Sequence, residues 1–316
     1  MKKILYFFFS LLTAYCLLPI CGYAQQLPLS NQYTINKFSL SPAYAGTGET
    51  FEIFGSYRNE WMNIPAAPES KIISANGVIC KNMGLGGTIG TLSAGIFQDM
   101  TASISYAYHA KLSGAHTLSF GLGLGLFESR VNIAGASAQA DPVAANNANV
   151  HDMVMDASFG ILYRYKTLHV ALSVPRMLSS QIKDVKGNTV YTLAMQQGFN
   201  IGYKYNINND WAIDPIAKIS MVKDASMFYE AAIPVIYRNK IWLSGAYKKT
   251  SMAFGLGGMP YSNFIVNYAY DFSSKGIMGQ SGGTHEITIG WRMSVKKKSE
   301  TPAHDSKKPY LDWILK

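Results

Sequence analysis

The stretch His116–Leu126, "HTLSFGLGLGL", admits one regular backbone state. Leu118, Phe120, Leu122, Leu124 and Leu126 recur at every second residue, and Thr117, Ser119, Gly121, Gly123 and Gly125 fill the places between them. A helix would scatter both sets around its circumference and carry its interior glycines at a cost of about 1 kcal/mol each. A strand puts one set on each face. The preceding segment, "MTASISYAYHAKL", repeats the division: Ala102, Ile104, Tyr106, Tyr108, Ala110 and Leu112 against Thr101, Ser103, Ser105, Ala107, His109 and Lys111. Near the end of the chain, Ile287, Ile289, Trp291, Met293 and Val295 oppose Glu286, Thr288, Gly290, Arg292 and Ser294. Similar patterns run over 159–165, 199–207, 211–221 and 264–270.

One face of each strand therefore meets an apolar medium, and the other meets polar groups or close-packed backbone. Strands of roughly 9–11 residues with this division are those of a transmembrane barrel, apolar toward lipid and polar or small toward the lumen. Only closed barrels and helices pair every backbone group in hydrocarbon, and no segment after the first thirty residues approaches ~18 unbroken apolar residues. The template gives about fourteen strands, beginning near Thr50, Ser70, Gly84, Met100, His116, Met153, Leu168, Met195, Asp210, Ser226, Lys240, Ser251, Ser262 and Thr284. The third, seventh, eleventh and twelfth fit weakly, so twelve is the alternative count. Every second connection is short ("KNM", "SGA", "KT", "NINN", "RNK", "MPY"), and the others include 59–69, 132–152, 175–194 and 273–283. Tight periplasmic turns and longer outer loops have this asymmetry, which places both termini in the periplasm. Trp211, Trp242 and Trp291 all fall near one rim, where indole rings form an interface belt. A soluble β-sandwich also alternates, but it has no use for so many long Tyr-rich strands backed by glycine.

The ends read separately. "MKKILYFFFSLLTAYCLLPICGYAQQ" has Lys2 and Lys3, an apolar run and small residues at Gly22 and Ala24, the pattern of a secretory signal cleaved near Ala24. Its loss lowers the formal +9 to about +7. It also removes Cys16 and Cys21, leaving Cys80 without an intrachain partner. The division is then 1–24 signal, 25–49 a periplasmic or plug segment, 50–295 barrel, and 296–316 a charged periplasmic tail.

Chemistry is thinly represented. "GQSGG" at 279–283 has the G-x-S-x-G spacing around Ser281, which has meaning only on a strained strand-to-helix turn; here it sits in a glycine-rich loop between strands. The six histidines have no ligand spacing, so neither metal nor cofactor is indicated. The basic residues are dispersed instead of forming a stripe, which argues against nucleic acid and for lipid headgroups and luminal ion pairs. These readings point away from an enzyme.

The segment "LSNQYTINKFSLSPAYAGTGE", followed by "YRNEW", "IPAAPES", "KNMGLGGTIG" and "LHVALSVPRML", resembles the PorP/SprF-like outer-membrane proteins of the type IX secretion system. The matching signature positions are Pro42, Ala43, Tyr44, Ala45, Gly46, Tyr57, Arg58, Asn59, Trp61 and Pro68; Ser41 and Glu60 depart from the family pattern. The resemblance assigns these residues no individual role. It implies a non-enzymatic barrel of the secretion and gliding machinery that assists export or surface attachment of a large adhesin-type client. The implied partners are that client, periplasmic components linked to peptidoglycan, and outer-membrane lipid. The outer loops 59–69, 132–152 and 175–194 would meet the client. The alternative is a passive or gated pore for small or hydrophobic solutes.

Overall fold

In the computed structural model, residues 30–48, 50–131, 150–184, 186–222, 225, 227–273 and 281–294 are described. The proposed signal, the tail and most of the 132–152 loop lie outside them. Three short 3-10 turns, Gln32–Thr34, Lys37–Leu40 and Pro42–Tyr44, precede the strands. The strands are β1 Thr50–Asn59, β2 Glu69–Cys80, β3 Met83–Ala94, β4 Phe97–Lys111, β5 His116–Val131, β6 Val150–Tyr165, β7 Leu168–Val174, β8 Gln181–Lys183, β9 Thr189–Thr192, β10 Gln196–Tyr203, β11 Tyr205–Asn206, β12 Trp211–Ile213, β13 Ile216–Val222, β14 Phe228–Tyr237, β15 Ile241–Lys248, β16 Ser251–Tyr261, β17 Phe264–Ser273 and β18 Thr284–Ser294.

Each strand pairs antiparallel with its neighbours, and the ring closes where β1 meets β18, from Thr50↔Ser294 to Asn59↔His285. Two staves are interrupted without losing register. Ile213↔Val235 and Ile216↔Ala232 keep one frame across Asp214–Pro215, where proline has no N–H to give to the ladder. β10 and β11 likewise keep one frame against β13 and β12. With these joined and the β8–β9 hairpin set aside, the result is a closed barrel of fourteen strands, the larger of the two counts read from the sequence. All four weakly patterned strands form, as β3, β7, β15 and β16.

The outer wall is apolar along its length. Ile104 is 67 % exposed, Leu124 56 %, Leu243 61 % and Phe254 59 %. An apolar face of this extent is stable only in hydrocarbon. The inner wall alternates with it: Ser105, Ala107 and His109 on β4 are buried, as are Ser119 and Phe127 on β5. Connections at one end are tight (81–82, 112–115, 166–167, 207–210, 238–240 and 262–263), and this short-turn end also carries Thr50 and Ser294. The long-loop end carries 60–68, 132–149, 175–195 and 274–283.

The structure departs from the sequence reading in two places. The connection 175–194 contains the β8–β9 hairpin; its Ile182, and Leu193 just after β9, pack on inward-facing Phe127, Val131 and Val150. Its turn is held by Asp184, whose carboxylate accepts from the Lys186 and Asn188 amides. The second departure is Trp242. It is 7 % exposed and points inward, donating to Asn267 Oδ1 at 2.8 Å, so it is no part of an outer belt. Trp211 and Trp291 stand on the outer wall at 44 % and 43 % exposure.

This arrangement predicts an asymmetry between faces. Leu124→Arg, outward and near the middle of β5, should destabilise the barrel in bilayers by about 2–4 kcal/mol, whereas the inward Ser103→Arg should cost far less. Urea titration of folding into phospholipid vesicles reads the difference, and equal penalties would contradict the assignment of faces.

Candidate functional site: a lumen occupied by the chain itself

Residues 30–48 lie inside the barrel and are held by its inward-facing side chains. The signature Pro42–Gly46 forms the tightest part. Ser41 caps the turn by accepting from the Ala43 amide, and Ala43 and Ala45 have no exposed surface. Small residues occur here because the segment presses its backbone against the wall. A Cβ placed at Gly121 would run into the backbone of Pro42 and Ala43, and one at Gly84 into the Ala45 carbonyl. Gly46 has φ +66°, a left-handed conformation that favours glycine, and its amide donates to Asn76 Oδ1 at 3.1 Å.

Directional bonds complete this lock. Tyr44 Oη donates to Asn200 Oδ1 at 2.7 Å and lies 2.8 Å from His169 Nδ1. Lys37 Nζ meets His169 Nε2 at 3.1 Å and Asp214 Oδ2 at 3.0 Å, which assigns His169 the Nδ1–H tautomer. Burial pushes the Tyr44 phenol well above its usual pKa, so it serves as a neutral hydroxyl. His109 Nε2 bonds the Ala45 carbonyl at 2.9 Å, and Arg164 Nη1 donates to Thr47 O at 3.1 Å. Farther along, Asn36 Nδ2 donates to Ser74 Oγ at 2.9 Å, and Arg292 Nη2 to Ile35 O at 2.8 Å.

A second cluster sits near the long-loop end. Arg58 Nη2 meets Asp271 Oδ2 at 2.9 Å, and its Nη1 meets Glu286 Oε2 at 3.1 Å. Lys248 Nζ lies 2.7 Å from Asp271 and 3.8 Å from Glu230; Lys218 lies 2.9 Å from Glu230. Lys218↔Glu230, Glu230↔Lys248 and Arg58↔Glu286 are directly opposite pairs on adjacent strands, so the barrel register creates the belt. It comprises three cations and three anions, Arg58, Lys218 and Lys248 against Glu230, Asp271 and Glu286. Glu60, 3.1 Å from Arg58 Nε, adds a further carboxylate at the rim. The first described residues rest on the belt. Ser30 Oγ donates to Glu286 Oε1 at 2.7 Å; the Asn31 amide donates to Glu286 Oε2 at 2.8 Å and its side chain to Asp271 Oδ1 at 2.7 Å.

The ten signature residues thus do not form one site. Pro42–Gly46 lock the luminal segment toward the short-turn end, while Arg58 anchors the belt toward the other. Tyr57 faces outward and donates to Glu69 Oε2 at 3.3 Å. Asn59 ends β1 opposite His285. Trp61, at φ +49°, donates its amide to Thr284 Oγ1 at 3.3 Å, and Pro68 O accepts from the Glu60 amide at 2.8 Å, closing the 60–68 loop. Ser281 lies in the connection that leads directly into β18, not on a strand-to-helix turn. Between the two clusters lies a cavity of about 360 Å³ floored by Phe38–Pro42. Hydroxyls such as Thr88, Thr101, Ser103, Ser105 and Ser158 face into it.

Removing Arg58 would leave Asp271 and Glu286 facing each other with one cation fewer. Truncating one member of a buried ion pair costs roughly 3–5 kcal/mol. Arg58→Ala should lower the unfolding free energy of the detergent-solubilised barrel by about that amount, and a loss under about 1 kcal/mol would contradict a buried belt.

The fold can be placed among known structures. A TodX deltaS2S3 mutant monoaromatic hydrocarbon channel shares 11 % identity and a TM-score of 0.52, covering 87 % of this chain and 97 % of that one. The Pseudomonas putida toluene transporter TodX gives 10 % and 0.49, over 87 % and 96 %. The CymD monoaromatic hydrocarbon channel gives 9 % and 0.49, over 87 % and 95 %. At these identities the likeness is one of fold. No curated protein matches the sequence. Residues 22–291 match the model described as type IX secretion system membrane protein PorP/SprF, so the chain belongs to that family and its barrel is an outer-membrane barrel.

Proposed function

We propose that this barrel is a non-enzymatic docking component of the type IX machinery that assists export or surface attachment of an adhesin-type client without conducting it. The observation that carries the reading is the occupied lumen: a segment keyed into wall glycines and bonded to β2, β4, β6, β7, β10 and β18 lies where a passing polypeptide would run. A barrel closed in this way acts through its surfaces. On this reading the signal is cleaved near Ala24, and the short turns and the 296–316 tail face periplasmic components near peptidoglycan. Trp211 and Trp291 lie in the interface belt. The long loops face outward, with the β8–β9 hairpin giving the 175–194 connection a fixed shape against the client.

Affinity capture from membranes after mild crosslinking tests this. Secretion-system components and a large surface protein should appear in the eluate, and deletion of 132–149, which leaves β6 whole, should reduce display of that client. Unchanged display would contradict the client role.

The second reading is a solute channel, favoured by the cavity of about 360 Å³ and by the hydrocarbon channels among the fold's neighbours. Planar-bilayer conductance separates the two. Wild-type protein should be silent, and Gly121→Val, which puts a branched side chain where Pro42 and Ala43 sit, should conduct. A large steady wild-type current would favour the channel.

A further inference from the structure

The luminal segment is held by two different kinds of contact. Residues 36–47 are fixed by shape: Asn36, Ala43 and Ala45 have no exposed surface, and the wall beside them is glycine. Withdrawing this part would strand a set of inward polar groups, His109, Asn200 and Asn76 among them. Residues 30–34 differ. Ser30 and Asn31 bond carboxylates that Arg58 and Lys248 already neutralise. Their departure leaves no unpaired charge and forfeits hydrogen bonds that water can replace. Tyr33, between Ile216 and Ala232 and 4.2 Å under Lys218, is their one sizeable apolar contact.

The cavity lies between these two parts. Ser30, Gln32 and Tyr33 border it on the long-loop side, and Phe38–Pro42 form its floor. We propose that the lumen is a one-ended binding chamber for an uncharged stretch of polypeptide with polar and aromatic side chains, entering from the long-loop end, with residues 30–34 as the strap that occupies it in cis. The proposal rests on the closed-barrel reading above and adds which part opens and what it admits. The ligand class follows from the wall and from the occupant. Hydroxyls share the lining with apolar side chains such as Phe38, Leu40, Phe127 and Phe228, and the neighbouring ions are balanced, so the match is an uncharged chain that carries both polar and aromatic side chains. The strap itself reads "SNQYT", without a charge. Release of the strap enlarges the chamber and leaves its floor intact, so nothing passes through.

The test uses protein beginning after Ala24, in which the exposed Cys80 is replaced by Cys80→Ser, with a single reporter at Gln32→Cys or at Ser41→Cys, both buried in the wild type. Asn31→Asp sets a like charge against Asp271 and Glu286. It should raise maleimide labelling at position 32 about tenfold or more, as expected for losing charge-assisted hydrogen bonds, and leave position 41 protected. Asn31→Ala gives the same readout should the aspartate variant fail to fold. A fluorescent Ser-Asn-Gln-Tyr-Thr peptide should bind the strap-released protein and not the wild type, and a lysine-substituted analogue should not bind. Labelling that rises at both positions, or at neither, overturns the one-ended chamber; absence of peptide binding after strap release overturns the ligand class. Client capture and wild-type conductance are separate readouts, so failure of the docking reading would be seen independently.

Discussion

Hydrocarbon cannot satisfy a backbone amide, and the rest of this structure follows from that. Fourteen strands must close on themselves, so the seam between β1 and β18 is as fully paired as any other. Closure on this scale encloses a lumen wider than its side chains fill. The chain resolves this with its own residues, laying 30–48 along the inner wall. Glycine on inward faces does more than thin the wall, since at Gly84 and Gly121 it lets one backbone rest on another.

The enclosed polar surface would be unfavourable if left unpaired. Near the long-loop end it is balanced by register: strands that meet in order set Lys218 against Glu230, Glu230 against Lys248, and Arg58 against Glu286. Arg58 also reaches Asp271 on β17, tying β1 to the strand beyond its direct neighbour β18. Such a belt adds little net stability over an apolar core, but it penalises any arrangement that separates its members.

Strand positions were legible because period-two patterning and turn residues agree. Thr50, His116, Leu168, Ser251 and Thr284 are read as starts from sequence and are starts in the structure. Trp242 was misplaced because Ile241 and Leu243 beside it are also apolar, so local hydrophobicity does not choose a face. The parity of Lys248, six residues on and inward, chooses it. The β8–β9 hairpin has its signal in Gly187 and the β-branched and aromatic "TVYT", hidden within a long loop. The seats at Gly84 and Gly121, and the partnership of Asn31 with Asp271 and Glu286 more than two hundred residues away, depend on which strands meet across the ring. No local pattern carries that information. The motif "SPAYAG" was recognised as a signature; its reason, small residues under a backbone-to-backbone contact, needed the three-dimensional arrangement.

Occupancy of the lumen by residues 30–48 is the claim on which the functional reading stands. The most direct measurement places cysteines at Asn36→Cys and Ser74→Cys in the Cys80→Ser background, adds a protease site in the 60–68 loop, and treats native membranes with a short bis-methanethiosulfonate cross-linker before cleavage. Because Asn36 of the luminal segment and Ser74 of the wall are in hydrogen-bond contact, the two fragments should run as one species on a denaturing gel until reductant is added. Fragments that part without reductant, from barrels that still fold, would contradict it.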